Sequence, residues 1–305
     1  MQVGIIGTGL MGSPIALRLQ ACGYPVVVYN RTIAKTQPLQ VAGIRVVEPV
    51  SALIRLCDVI LLTLTDAPAI AALLFDPAHP LDLDQKTVIQ MGTISPAESQ
   101  TLAQQVAQRG GEYLEAPVLG SIPEAQAGTL LVMVGGEESQ FERWLPLFEA
   151  LGTAPRHIGA VGTAAALKLG LNQLIGALTA AFSTSLAFVQ GYEVPVDLFM
   201  AILRESALYA PTFDKKLPRI QAQNFQNPNF PTKHLLKDLR LFCEAAQEVQ
   251  LELAPVQALC QILEQAMVSY ADQDYCALST AVNPGAVNPG TVNPGAVNPG
   301  ADPAR

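Results

Sequence analysis

The sequence predicts a doubly wound α/β domain with a mostly parallel sheet over residues 1–161, followed by an all-helical domain over 162–280. Three observations carry this expectation. Short apolar runs alternate with helical patterns through the first half, as crossover units between parallel strands require. A glycine-rich turn lies directly after the first apolar run and directly before the first helical pattern. Beyond residue 161 strand patterns nearly vanish and helical ones take over.

The apolar runs fall at 2–6, 26–29, 59–64, 87–91, 112–116 and 129–134. Each has the length of a strand rather than of a helix. Residues 13–22 read as the first helix. Gly135 and Gly136 close the last run, 138–151 reads as a helix, and 157–159 as one more edge strand. Helical periodicity then covers 164–190, 195–205, 232–249 and 254–270. The stretch 169–190 carries no charge and is long enough to span a membrane. It contains Asn172, Gln173, Thr179, Ser183, Thr184 and Ser185, however, and no basic cluster or aromatic belt flanks it. A buried helix at the centre of the helical domain is the expectation, with no membrane partner. From 281 the pentads AVNPG, AVNPG, TVNPG and AVNPG follow in register and finish in ADPAR. Repeated Asn-Pro-Gly favours turns and offers little to bury, so 281–305 is expected to be a disordered tail.

Half the residues are apolar and 14% are charged, which is ample for a folded core. The net charge of −8 and a pI near 4.9 leave no basic footprint, which argues against nucleic acid and anionic membranes as partners. An anionic substrate would need positive groups gathered locally. Five scattered cysteines without a CxxC pair suggest reduced thiols and a cytoplasmic setting. No secretory leader is visible, so the mature chain is expected to begin at Met1. His79, His157 and His234 are dispersed and nothing has zinc-ligand spacing, so no metal is expected.

Gly7-Thr8-Gly9-Leu10-Met11-Gly12 fits G-x-G-x-x-G in the required strand-to-helix context. Gly7 permits the tight turn, Gly9 lets backbone approach a pyrophosphate, and Gly12 lets the helix pack on its strand. The pyrophosphate would rest on the N-terminus of the helix, where free N–H groups and the dipole favour an anion. Leu64 closes the third run and Thr93 follows the fourth, at the carboxyl edge where ligands of open α/β sheets bind. At the end of the second run, where an NAD enzyme usually places an acid, the chain reads Tyr29-Asn30-Arg31-Thr32. An acid there would repel a 2′-phosphate, whereas Asn30, Thr32 and above all Arg31 can bind one, which predicts NADP(H). Ser95 followed by Pro96 reads as a helix N-cap.

Lys168 is the single charge in 164–190, costly to bury without a partner, and Asn172 lies one turn later on the same face. The glycine turn ending in Met11-Gly12, with Gly92-Thr93-Ile94-Ser95-Pro96, Glu115-Ala116-Pro117-Val118-Leu119-Gly120-Ser121, Lys168 with Asn172, and Lys237-Asp238, forms an ordered set. The set resembles the β-hydroxyacid dehydrogenase family, which includes 3-hydroxyisobutyrate dehydrogenase, tartronate semialdehyde reductase and the glyoxylate/succinic semialdehyde reductases. The resemblance covers roughly residues 1–280 and implies a Rossmann domain followed by a helical domain like that of 6-phosphogluconate dehydrogenase-like proteins.

By that resemblance Lys168 is the catalytic residue, with Asn172 beside it. Thr93 contacts cofactor and substrate, Lys237 reaches the cofactor, and Asp238 orients it. Gly120 and Ser121 belong to the loop that holds the substrate carboxylate, together with Lys168 and Asn172. Here Leu119 replaces the usual Ser, removing one donor, while the backbone N–H groups of Gly120 and Ser121 are expected to remain available. The implied reaction interconverts a small aldehyde or keto acid and its hydroxy acid, with NADP(H) as hydride carrier and Lys168 as general acid or base. Glyoxylate, succinic semialdehyde or a related semialdehyde is the expected substrate, and the apolar helical half suggests a homo-oligomer, a dimer or tetramer. An imine reductase on the same framework would be expected to carry Asp or Tyr in place of Lys168. A non-catalytic NADP(H)-binding module would need neither Lys168 nor Asn172.

Overall fold

The computed structural model describes residues 1–286. β1 (Val3–Ile6), β2 (Val26–Tyr29), β3 (Arg45–Val46), β4 (Val59–Leu62), β5 (Thr87–Gln90) and β6 (Glu112–Glu115) run parallel in the order β3-β2-β1-β4-β5-β6. β8 (Leu131–Gly135) joins β6 antiparallel, with β7 (Val118–Leu119) antiparallel and β9 (Arg156–Gly159) parallel to it. Strand order reverses between β1 and β4, which opens a crevice beyond their carboxyl ends.

The continuous apolar runs have a physical cause in this sandwich. Leu61 of β4 points into a core shared with α1 (Gly12–Ala21), α6 (Ile122–Ala127) and α7 (Glu138–Leu151). Its neighbours Ile60 and Leu62 point into a second core on the opposite face, shared with α3 (Val50–Leu56), α4 (Ala67–Leu74) and α5 (Pro96–Ala107). A strand covered on both faces cannot alternate with polar residues. The short α2 (Gln37–Val41) follows β2. Strand ends lie within two residues of those expected. β3 and β7 were not expected, because two residues carry no periodicity.

The second half contains α8 (Thr163–Gly191), α9 (Val196–Glu205), α10 (Pro211–Gln221), α11 (Thr232–Glu248), α12 (Ala254–Tyr270) and α13 (Leu278–Val282). α10 was also unexpected. Pro211 occupies the tolerant first turn, and Phe213 and Leu217 bury one helical face.

Two expectations need correction. α8 was expected to be buried at the centre; it packs on α9, α10, α11, α12 and α13, but Leu167, Leu174, Leu178 and Phe188 stay exposed. These neighbours leave part of an apolar helix uncovered. The tail was expected to begin at 281, but α13 runs to Val282 and a 3₁₀ turn follows at Pro284–Ala286. The later pentads lie outside the described residues.

Glu115 joins the halves. Its buried Oε1 accepts from the N–H groups of Gly162 (2.9 Å), Ala164 (2.8 Å) and Ala165 (3.1 Å) at the start of α8, and Ser99 Oγ donates to Oε2. The carboxylate thus satisfies orphan donors and opposes the positive end of the helix dipole.

Candidate active site

The chain leaves β1 through Gly7 at φ +100°, a conformation that L side chains rarely adopt. A Cβ on Gly12 would lie 2.0 Å from Gly7 O and 2.5 Å from Thr63 Oγ1, so only glycine lets α1 pack this closely on the turn. Gly9 differs, because a Cβ there would meet no atom within 4 Å. Its backbone faces the open cleft, as the approach of a pyrophosphate requires.

Two cavities meet here. One of about 330 Å³ is lined by Gly7, Gly9, Asn30, Arg31, Thr32 and Lys35. The other, about 770 Å³, lies between the domains and is lined by Leu10, Met11, Thr93, Lys168, Asn172 and Lys237 among others. Gly9, Thr63, Leu64 and Thr65 border both. Their combined shape and the open backbone at Gly9 fit a dinucleotide with its adenosine end toward Arg31.

The expected cofactor residues divide by role. Arg31 is exposed at the smaller cavity, and neither it nor Lys35 makes a side-chain hydrogen bond or ion pair among the described residues. Asn30 and Thr8 are committed internally. Thr8 N donates to Asn30 Oδ1 at 3.1 Å, Asn30 Nδ2 to Thr32 O at 2.9 Å, and Thr8 Oγ1 to Lys35 O at 3.3 Å. They fasten the glycine turn to the end of β2, and Thr8 and Gly12 line neither cavity. Capping was correctly anticipated at Ser95, which exchanges hydrogen bonds with Glu98.

On the opposite wall, α8 presents Lys168 at 9% exposure and Asn172 at 1%. Burial pulls the Lys168 ammonium down to a pKa of about 8, against the favourable charge of Asp238 and with the repulsion of Lys237. No hydrogen bond or ion pair holds it within the described chain. Asn172 Nδ2 donates to Asp238 Oδ2 at 2.6 Å. An ionised carboxylate can only accept, so the amide nitrogen must face it, and Asn172 Oδ1 is left buried without a partner. A buried acceptor of this kind asks for a donor from a bound molecule.

Lys237 was expected to reach the cofactor. Its ammonium lies 2.9 Å from Asp238 Oδ1 and donates to Thr93 O (2.5 Å) and Thr65 O (3.0 Å). It borders the larger cavity while pinning α11 to the carboxyl edge of β4 and β5.

The loop after β6 corrects another expectation. Ser121 was expected to offer its N–H to an anion, but that N–H donates to Glu124 Oε2 at 2.8 Å and Ser121 Oγ donates to the same oxygen at 2.6 Å. The cause is local, since Glu124 is the third residue of α6 and closes a capping box. Gly120 remains as the backbone donor of the loop.

A family model described as the NAD binding domain of 6-phosphogluconate dehydrogenase matches residues 2–162. A second, described as NAD-binding of NADP-dependent 3-hydroxyisobutyrate dehydrogenase, matches 162–282. The chain belongs to the β-hydroxyacid dehydrogenase family.

As a member it is a nicotinamide-dependent oxidoreductase. It is 30% identical over 285 residues to glyoxylate/succinic semialdehyde reductase 1 of Arabidopsis thaliana, covering 92% of this chain and 98% of that protein. It is 34% identical over 267 residues to 2-hydroxy-3-oxopropionate reductase of Escherichia coli K12, covering 86% and 90%. The fold matches that of Mycobacterium tuberculosis 3-hydroxyisobutyrate dehydrogenase with L-serine, at a TM-score of 0.83, 21% identity and coverage of 93% and 100%. Two further similarities bear on the competing readings. An imine reductase from Myxococcus stipitatus shares the fold at a TM-score of 0.64, with 21% identity and coverage of 92% and 100%. The cytokine-like nuclear factor N-PAC of Drosophila melanogaster is 30% identical over 249 residues, which are 81% of this chain and 41% of that longer protein.

Three features of this family member escaped sequence reasoning. Lys35 joins Arg31 because a 3₁₀ turn at Ile33–Thr36 brings it back to the cavity. His234, largely buried and with its pKa lowered chiefly by that burial, faces the larger cavity and is neutral at neutral pH. Lys215, Lys216 and Arg219 arrive on the unexpected helix α10.

Proposed function

We propose that the chain is an NADP(H)-dependent reductase of a small aldehyde acid, with glyoxylate, succinic semialdehyde or a related semialdehyde as substrate. The observation that carries this reading is the pair on α8, where an unpaired Lys168 ammonium and an unpartnered Asn172 Oδ1 border one cavity. A pure binding module needs neither group, and the imine reductase expectation of Asp or Tyr is not met at Lys168. The two reductase relatives support the substrate class by name.

When bound along Gly9 and Arg31, the reduced cofactor would supply a hydride for the carbonyl carbon. Lys168, as ammonium, hydrogen-bonds the carbonyl oxygen and gives it a proton as negative charge develops there. Asn172 Oδ1 accepts from Lys168 or from the product hydroxyl, with its amide held in place by Asp238. Thr93, Gly120 and Lys237 shape the same pocket. Arg31, with Thr32 nearby and Lys35 beside it, binds the 2′-phosphate and sets the preference for NADP(H). In this reading residues 1–161 bind cofactor, 162–280 complete the site, and the exposed apolar face of α8 pairs subunits of a cytoplasmic homo-oligomer.

The test is NADPH oxidation by the purified protein with glyoxylate and succinic semialdehyde, beside NADH controls and Lys168→Ala. Turnover with NADPH that collapses in the variant is expected. Tight NADPH binding without turnover on any aldehyde acid would favour a binding module instead.

A further inference from the structure

The carboxylate site implied by the family loop is weakened in this chain. Leu119 has no side-chain donor, and the Ser121 N–H and hydroxyl are both spent on Glu124. The same cavity nevertheless carries five cations, Lys168, Lys215, Lys216, Arg219 and Lys237, against two carboxylates, Glu124 and Asp238. This excess is notable in a chain of net charge −8, because it gathers positive potential in one cleft.

Three of the five lie on α10, and their commitments differ. Lys216 is spent on buried Asp274, with Nζ 2.7 and 2.9 Å from its two oxygens. Arg219 donates to Gln226 O (2.8 Å) and Asn227 O (3.2 Å), neutral carbonyls that hold the guanidinium in place without cancelling its charge. Lys215 makes no hydrogen bond or ion pair among the described residues. Its charge adds the smallest share to holding the Glu124 carboxyl below its ordinary range, after the Ser121 hydroxyl and the backbone N–H groups.

Building on the reductase reading, we infer that Lys215, backed by Arg219, holds the remote carboxylate of a substrate whose reacting carbonyl lies at Lys168. The anion subsite has passed from the loop after β6 to α10. A two-carbon aldehyde acid carries its carboxylate on the carbon next to the carbonyl and cannot use both ends of the cavity. A four-carbon semialdehyde acid has the spacer to do so.

The experiment compares succinic semialdehyde, glyoxylate and butanal with the wild type, Lys215→Ala and Lys215→Arg. Lys215→Ala is expected to raise KM for succinic semialdehyde about tenfold more than KM for butanal or glyoxylate, the scale of one lost hydrogen bond to a charged group, with Lys215→Arg retaining most of the selectivity. Equal shifts for all three substrates, or none, would overturn the subsite. If no aldehyde is reduced, the reductase reading fails on its own, and calorimetry of succinate with the NADP⁺-saturated protein decides the subsite. A dissociation constant about tenfold weaker in Lys215→Ala supports it. An unchanged constant, or no binding to the wild type, refutes it.

Discussion

The sheet wall of the cleft offers groups from one short turn of the chain, Gly7, Gly9, Leu10 and Met11. The helical wall offers single side chains carried by α8, α10 and α11. A backbone cradle owes its shape to the absence of Cβ atoms and depends little on side-chain chemistry. A wall of separate side chains is the reverse, since each group can be exchanged without moving the others. Cofactor binding and turnover should therefore fail separately.

The largest expected effect is on the helical wall. Lys168→Ala should lower kcat by about 10²- to 10⁴-fold while NADPH binding, followed by its fluorescence, persists. A parallel loss of binding would break the division between the walls. The wild-type pH profile sharpens it, because the ammonium is the proposed acid of reduction and its pKa is lowered to about 8. Reduction should fall as pH rises through that value, and oxidation of the hydroxy acid should rise. The sign for stability follows from the same shift. A folded-state pKa below the ordinary 10.5 penalises folding when Lys168 is charged, and the penalty is relieved between about 8 and 10.5.

The glycine pair comes next. Gly12→Ala places a Cβ against Gly7 O and should destabilise the fold by about 1–3 kcal/mol in chemical denaturation. Gly9→Ala meets only open space, so its midpoint should hold while NADPH binds about tenfold more weakly. Equal destabilisation by both would mean that Gly9 does not face the cofactor.

Smaller effects are expected at the rims. Arg31→Ala should raise KM for NADPH about tenfold relative to KM for NADH in steady-state assays. Leu119→Ser, which returns a hydroxyl to the loop, should lower KM for glyoxylate by about threefold, and an unchanged value would show that the loop no longer meets the carboxylate.

What could be read in advance follows the same division. The glycine turn was legible because its strand, turn and helix are contiguous, and most strands were legible because both faces are buried. That Lys168 and Asn172 share one wall of the cavity was legible because a helix sets residues four apart on one face. The role of Lys237 was not, since its carbonyl partners at Thr65 and Thr93 lie 172 and 144 residues away. Asn30 has a second task that its sequence position does not show, because a side chain suited to a phosphate is equally suited to tying down a turn. The cations of α10 were missed because no helical pattern was read over 211–221.

The Glu115 carboxylate at the end of β6 belongs to one half of the chain and its three backbone donors to the other. Separating the halves would strand a charge in the sheet and bare N–H groups at the first turn of α8, both costly away from water. The two halves should therefore behave as one cooperative unit on heating, with a single transition. A fragment cut at residue 161 should not melt as a domain in its own right.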